Sequence, residues 1–247
     1  MRGNVELFGG ERERRSASSQ VGVAYSSHGA RPQGENGQAA AFDEVMRLVQ
    51  RVFILPGPTK IPRVIGFCGV NRHAGCTWLC AQVCQVLAEQ VPGSVCAVDA
   101  NLREPALHKR FEIEKAAGFA ELMKAAKPPR EFSRQTGSSN LWVITAGSCG
   151  HVPNGALNPS RLRARFAELR SQFDFVLVDT PAIDTYPDAT LLAQMTDGVI
   201  LVVDANATRR ETARQAKESL EAAQIPVLGA VLNKRTYPIP DAIYRKI

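Results

Sequence analysis

No stretch of this 247-residue chain stays apolar long enough to cross a membrane; its longest run, Val199 to Val203, has the length of a buried strand. A spanning helix would need ~18 such residues. The N-terminus lacks the apolar core of a secretory signal, so the expected location is the cytosol. The six cysteines, at 68, 76, 80, 84, 96 and 149, form no C-x-x-C pair of the kind used by zinc and redox sites. Cys76, Cys80 and Cys84 are spaced to share one helix face. That reads either as a metal or redox cluster or as small apolar residues packing a helix on a sheet. In a reducing compartment the cysteines are expected as free thiols. Lys and Arg are scattered, without the basic-and-aromatic alternation that single-stranded nucleic acid needs. The net charge of +6 therefore reads as a solvated surface and no nucleic-acid partner is expected. A weak attraction to anionic lipid or acidic partners stays open. There is no internal repeat.

What is present begins with a tail. Residues 1–40 are rich in Gly, Ser, Glu, Arg and Gln and are expected to be disordered. Residues 41–247 suit one domain with a sizeable core. A helix is predicted over 41–53, with Phe42, Val45, Met46, Val49 and Val52 on one side. Leu55-Pro-Gly-Pro ends it. Strands are then predicted at 64–68, 95–98, 141–145, 175–178, 199–203 and 227–232, with helices at 77–90, 160–172 and 210–223. The strands are continuous apolar runs, which implies burial on both faces. Their alternation with helices predicts an α/β, doubly wound, mostly parallel sheet whose ligands bind at the carboxyl ends of the strands.

The first of these strands leads into Gly69-Val-Asn-Arg-His-Ala-Gly75-Cys76-Thr77. In the phosphate-binding pattern G-x-x-x-x-G-K-[ST], backbone N–H groups cradle phosphates, the lysine reaches the β- and γ-phosphates and the hydroxyl binds Mg²⁺. Gly75 and Thr77 fit. Cys76 stands in the lysine slot, and Val70 takes the slot of the first glycine, since Gly69 falls one residue early. Asn71, Arg72, His73, Ala74, Gly75, Cys76 and Thr77 are the candidate phosphate contacts. Taken alone, the segment is equally an ordinary strand-to-helix turn.

Two further strands end in an acid: Val98-Asp99, followed by Ala-Asn101-Leu-Arg103-Glu-Pro, and Val178-Asp179-Thr-Pro. Such an Asp positions Mg²⁺, or caps a following helix. Two of them beside a glycine–hydroxyl loop make Thr77, Asp99 and Asp179 candidate metal ligands. Asn233, at the end of the last strand, is a candidate for a base ring or a turn residue.

At this point the chain resembles the cytoplasmic kinase domain of bacterial tyrosine autokinases of capsule and exopolysaccharide assembly, relatives of the cell-division and plasmid-partition P-loop ATPases. The resemblance covers roughly residues 41–247. It rests on Phe42-Asp-Glu-Val-Met-Arg47, the loop, Val-Asp-Ala-Asn-Leu-Arg-Glu-Pro-Ala-Leu-His at 98–108 and Gly118-Phe-Ala-Glu-Leu. It continues through Val-Ile-Thr-Ala-Gly at 143–147, Asn158-Pro, Val-Leu-Val-Asp-Thr-Pro at 176–181 and Val-Leu-Asn at 231–233. It implies a P-loop fold, ATP or ADP with Mg²⁺, and a tyrosine phosphoacceptor. It also implies Walker A and Walker B motifs, the loop being a degenerate Walker A, with Asp99, Arg103 and Asp179 as the catalytic residues. The implied partner is a membrane-bound polysaccharide chain-length regulator, which would recruit the chain to the inner face of the membrane.

Four departures bear on activity. Cys76 replaces the loop lysine. Asn101 replaces the second acid after strand two, although Asp99 and Arg103 remain. The tyrosine-rich tail is reduced to Tyr237 and Tyr244. In the oligomerisation motif Glu44 and Arg47 match, but Gln50 fills the third slot, with Arg51 just after. Arg72 or His73 could supply replacement charge from within the loop. Two readings follow: a tyrosine-kinase-like enzyme of weak or no activity, and a pseudokinase that serves as a binding module for the membrane regulator or an active paralogue. A partition-type ATPase fits less well, since that group's signature lysine would fall at Asn71.

Overall fold

The computed structural model describes residues 21–24, 35–55, 61–148 and 157–234. Its sheet is formed by β1 (Val21–Ala24), β2 (Val64–Gly69), β3 (Val95–Asp99), β4 (Arg134–Gln135), β5 (Leu141–Ile144), β6 (Phe175–Asp179), β7 (Gly198–Asp204) and β8 (Val227–Asn233). Across the sheet the order is β1-β8-β7-β2-β6-β3-β5-β4. All neighbours are parallel except β4, which runs antiparallel to β5. The helices are α1 (Glu35–Val49), α2 (Cys76–Gln90), α3 (Leu107–Arg110), α4 (Phe119–Leu122), α5 (Pro159–Gln172), α6 (Pro187–Ala193) and α7 (Arg210–Ala222). The doubly wound α/β architecture expected from the alternating pattern is present.

The reason the strands read as unbroken apolar runs is visible in β2, which is buried along its whole length. Ile65 and Phe67 point into a core shared with α1 and α2. Val64 joins the core packed on α5, and Cys68 and Val70 the core packed on α7. Successive side chains alternate between faces, and both faces are covered.

The structure differs from expectation at the N-terminal side and in the short elements. Two pieces of the expected tail have defined structure: β1 pairs with β8, and α1 begins at Glu35. The helix then widens into a π-helical turn at Gln50–Ile54. Its buried face is Val45, Leu48, Val49 and Val52, an i, i+3, i+4, i+7 set. Phe42, expected to point inward, lies off that face and is 44% exposed. The two-residue β4 and the one- or two-turn helices α3, α4 and α6 carry too few residues to establish a period.

Candidate nucleotide site

β2 lies between β7 and β6, where the sheet order places a ligand crevice. The ladder continues one residue past the strand, because Val70 N–H donates to the Val202 carbonyl at 2.9 Å. Val70 therefore still behaves as strand, which explains why a Cβ is tolerated in the slot of the first glycine. At the other end of the loop Gly75 has φ 90°, and an added Cβ would lie 2.1 Å from Asn233 Nδ2. Only glycine meets both conditions. Asn233 is buried; its Nδ2 donates to the Ala74 carbonyl at 2.8 Å and its Oδ1 accepts from Lys234 N–H at 2.9 Å. Through these two bonds Asn233, a candidate for a base ring or a turn residue, ties β8 to the loop.

Cys76 opens α2 with its thiol turned under the loop, donating to the Phe67 carbonyl at 3.0 Å. Burial, and after it the Asp179 carboxylate, pushes this thiol well up. Burial likewise raises Cys68 to about 12. Cys80, Cys84 and Cys96 are fully buried in the apolar cores. Cys80 and Cys84 lie in the core under α2 and Cys76 packs against it; among the described residues no group of three or more His, Cys, Asp or Glu is placed to hold a metal ion. Cys149 lies outside the described residues.

Asp99 and Asp179 are register partners on β3 and β6 and are fully buried. Asp99 accepts from the N–H groups of Asn101 at 3.2 Å and Leu107 at 3.0 Å. Neither carboxylate oxygen of Asp179 makes a hydrogen bond of good geometry among the described residues, although the Thr77 and Cys76 side chains lie close enough to pull its pKa down against burial. Burial and then the charge of Asp179 lift Asp99 to about 8; burial lifts Asp179 to about 6. The Asn101 Oδ1 accepts from Glu104 N–H at 3.0 Å and so fixes the turn after β3.

Beside the loop opens a cleft of about 500 Å³, bounded by Gly69, residues 71–78, Asn101, Thr180, Tyr186 and the cations Lys109, Arg110 and Lys234. Arg72 is ion-paired with Glu104. Asn71 Nδ2 donates to Asp184 at 2.7 Å, while its buried Oδ1 has no partner within the protein. Arg103 does not border the cleft. It forms a 2.5 Å ion pair with Asp188 of α6 and stacks over the Tyr186 ring, which braces the neighbouring segment. Residues 71–77 line the cleft, while Asp99, Arg103 and Asp179 are not among its lining residues; Asp99 and Asp179 are paired on adjacent strands, with the Thr77 and Cys76 side chains beside Asp179. Tyr237 and Tyr244 lie outside the described residues. Asp204 and Lys234 were missed, although Val202-Val203-Asp204 repeats the strand-ending-in-Asp signal.

No family model matches the chain. CapB of Staphylococcus aureus, assigned as a tyrosine-protein kinase, is 33% identical over 137 residues, 56% of this chain and 60% of CapB. The tyrosine-protein kinase YwqD of Bacillus subtilis is 29% identical over 153 residues, 62% of this chain and 64% of YwqD. The relatives of this chain are bacterial tyrosine-protein kinases. The chain spans less than two thirds of the length of these two relatives. Among solved structures, the chimerical protein CapA2B2 matches with TM-score 0.73 and 20% identity, covering 87% of this chain and 94% of that one. The septum site-determining protein MinD of Pyrococcus horikoshii, complexed with Mg-ADP, matches with TM-score 0.59 and 21% identity, covering 74% of this chain and 76% of MinD. These likenesses establish that the chain shares the fold of CapA2B2 and MinD.

Proposed function

We propose that this chain binds ATP or ADP with Mg²⁺ in the cleft beside the loop and transfers phosphate weakly or not at all. It would serve capsule or exopolysaccharide assembly as a regulatory module for a membrane-bound chain-length regulator or an active paralogue. The observation that carries the reading is the orphaned carboxylate of Asp179, buried beneath a glycine–hydroxyl loop. A buried, unpartnered carboxylate is costly without a cation, and Mg²⁺ takes oxygen ligands of this kind. Thr77 and Asp179 would hold the ion, with Asp99 behind them. The N–H groups of the loop and of the first turn of α2 would receive the phosphates. When bound, Mg²⁺ neutralises phosphate charge.

The weak-transfer part rests on charge and placement. Cys76 offers a thiol instead of an ammonium, and that thiol donates to the Phe67 carbonyl. Asn101 cannot carry the missing negative charge, and its side chain is engaged in its own turn. Arg103 is held by Asp188. No described helix is long and apolar enough to cross a membrane, so a membrane role would depend on a partner.

Isothermal titration with ATP and ADP, with and without Mg²⁺, tests the reading. Mg²⁺-dependent binding that disappears in Asp179→Ala is expected; absence of binding of either nucleotide overturns it. Purified protein incubated with labelled ATP should acquire little label. Phosphotyrosine at Tyr237 or Tyr244 that is lost in Asp179→Ala would refute the weak-transfer part.

A further inference from the structure

We propose that Lys234, arriving from the end of β8, supplies the phosphate-facing cation that Cys76 cannot. The inference rests on the nucleotide-site reading and names the residue that makes such a site workable without a loop lysine.

The Lys234 ammonium donates to the His73 carbonyl at 2.6 Å, in the middle of the loop, and to Asp204 Oδ2 at 2.9 Å. An ammonium has three protons. Two are held by these partners, which leaves one for a ligand; Lys234 lines the cleft and its side chain stays 27% exposed. The charge thus reaches the loop from a neighbouring strand, 161 residues away in sequence. Arg72 and His73, the replacements expected from within the loop, are less well placed. Arg72 is ion-paired to Glu104, and the His73 backbone carbonyl is itself the group that Lys234 grips.

The backbone supports a built arrangement. Four non-glycine described residues have positive φ, and two of them, His73 at 61° and Lys234 at 59°, are the two ends of this contact. Such conformations are uncommon outside glycine and persist where the surroundings hold them. Here Asn233 holds both sides, through the Ala74 carbonyl and Lys234 N–H. Asp204 fixes the ammonium in turn. Burial alone would raise its carboxyl, but Lys234 and the N–H groups of Asn206 and Ala207 bring it below the usual range. It is therefore ionised at neutral pH and holds the ammonium in place.

The test compares ADP, ATP and adenosine binding in the full chain for the parent, Lys234→Met and Lys234→Arg, with melting curves to confirm that each variant folds. Loss of one charge-assisted contact predicts about tenfold or more weaker ADP and ATP binding in Lys234→Met. Adenosine binding should be unchanged, and Lys234→Arg should restore most of the loss. In a Cys76→Lys background the same Lys234→Met change should cost clearly less, because the cation is then present in the loop. Equal loss for adenosine and ADP, or an undiminished cost in the Cys76→Lys background, would overturn the proposal. A folded parent that binds no nucleotide would overturn the nucleotide-site reading as well. A parent that binds normally with Lys234→Met unaffected would sink this inference alone.

Discussion

Asp179 and Asp99 concentrate the chemistry of this molecule at the smallest scale. They are register partners on adjacent strands, so two carboxylates share one low-dielectric space; burial disfavours the charged form of each, and the charge of Asp179 disfavours that of Asp99 further. Both hold a proton more tightly folded than unfolded. Between the ordinary carboxylate value of ~3.9 and about 8 the folded state therefore binds more protons. Their contribution to stability is fully present below that window and is lost as pH rises through it. Without Mg²⁺, thermal melts of the parent should lose stability relative to Asp179→Asn as pH goes from about 5 to about 8. The gap between the two should narrow when Mg²⁺-nucleotide is added, and metal binding should strengthen over the same range as protons are released. A parent and variant that run parallel across that range would contradict the shared-proton picture. One slot away, Cys76→Lys combined with Asn101→Asp restores both missing charges. At ~1.4 kcal/mol per decade, one regained charge-assisted contact of ~1.5–3 kcal/mol predicts at least tenfold tighter ATP binding by titration.

At the scale of elements, the loop is as rigid as the strands that brace it. Gly75→Ala would meet Asn233 Nδ2 and place a side chain at φ 90°, so it should lower stability and loosen nucleotide binding together. Equilibrium denaturation and titration of one preparation would show whether the two effects travel together. Arg103 and Asp188 join the turn after β3 to α6, with side chains only 12% and 7% exposed. Removing one partner of a buried pair leaves an uncompensated charge, at ~3–5 kcal/mol. Asp188→Ala should accordingly shift the denaturation midpoint strongly, whereas an exposed pair such as Arg214–Glu211 should barely register. These cases also mark how far the chain could be read from its letters. Apolar runs such as Val176-Leu177-Val178 and the acids that end them announced the sheet and the acid pair at its strand ends, because burial on two faces leaves a local signature. The partner of Arg103 lies 85 residues away and that of Lys234 lies 161 away, and no local pattern encodes either meeting. β1 and β4 were invisible for another reason: at four and two residues their pairing is decided by the neighbour strand, not by their own composition.

For the whole molecule, the open question is association, and the polar face of α1 bears on it. Resemblance assigns Glu44 and Arg47 to contacts between neighbouring subunits. In the single chain they already pair with each other, Arg47 Nη1 to Glu44 Oε1 at 3.0 Å, at side-chain exposures of 64% and 30%. An intrahelical pair of this kind contributes only ~0.2–0.5 kcal/mol, so breaking it to form an intersubunit contact costs little, but the new contact gains little either. Gln50 removes a third charge from the same surface. Phe42, Ile54, Leu55 and Ile61 are exposed apolar side chains nearby in sequence, at 44%, 39%, 73% and 41%, and they are single residues rather than the well-packed interior of a stable interface. The expectation is mainly monomer at micromolar concentration in multi-angle light scattering, with assembly waiting on the membrane partner. If a ring forms without that partner, Glu44→Ala with Arg47→Ala should dissolve it. A ring that survives both substitutions would place the subunit contact elsewhere on the molecule and remove α1 from the assembly reading.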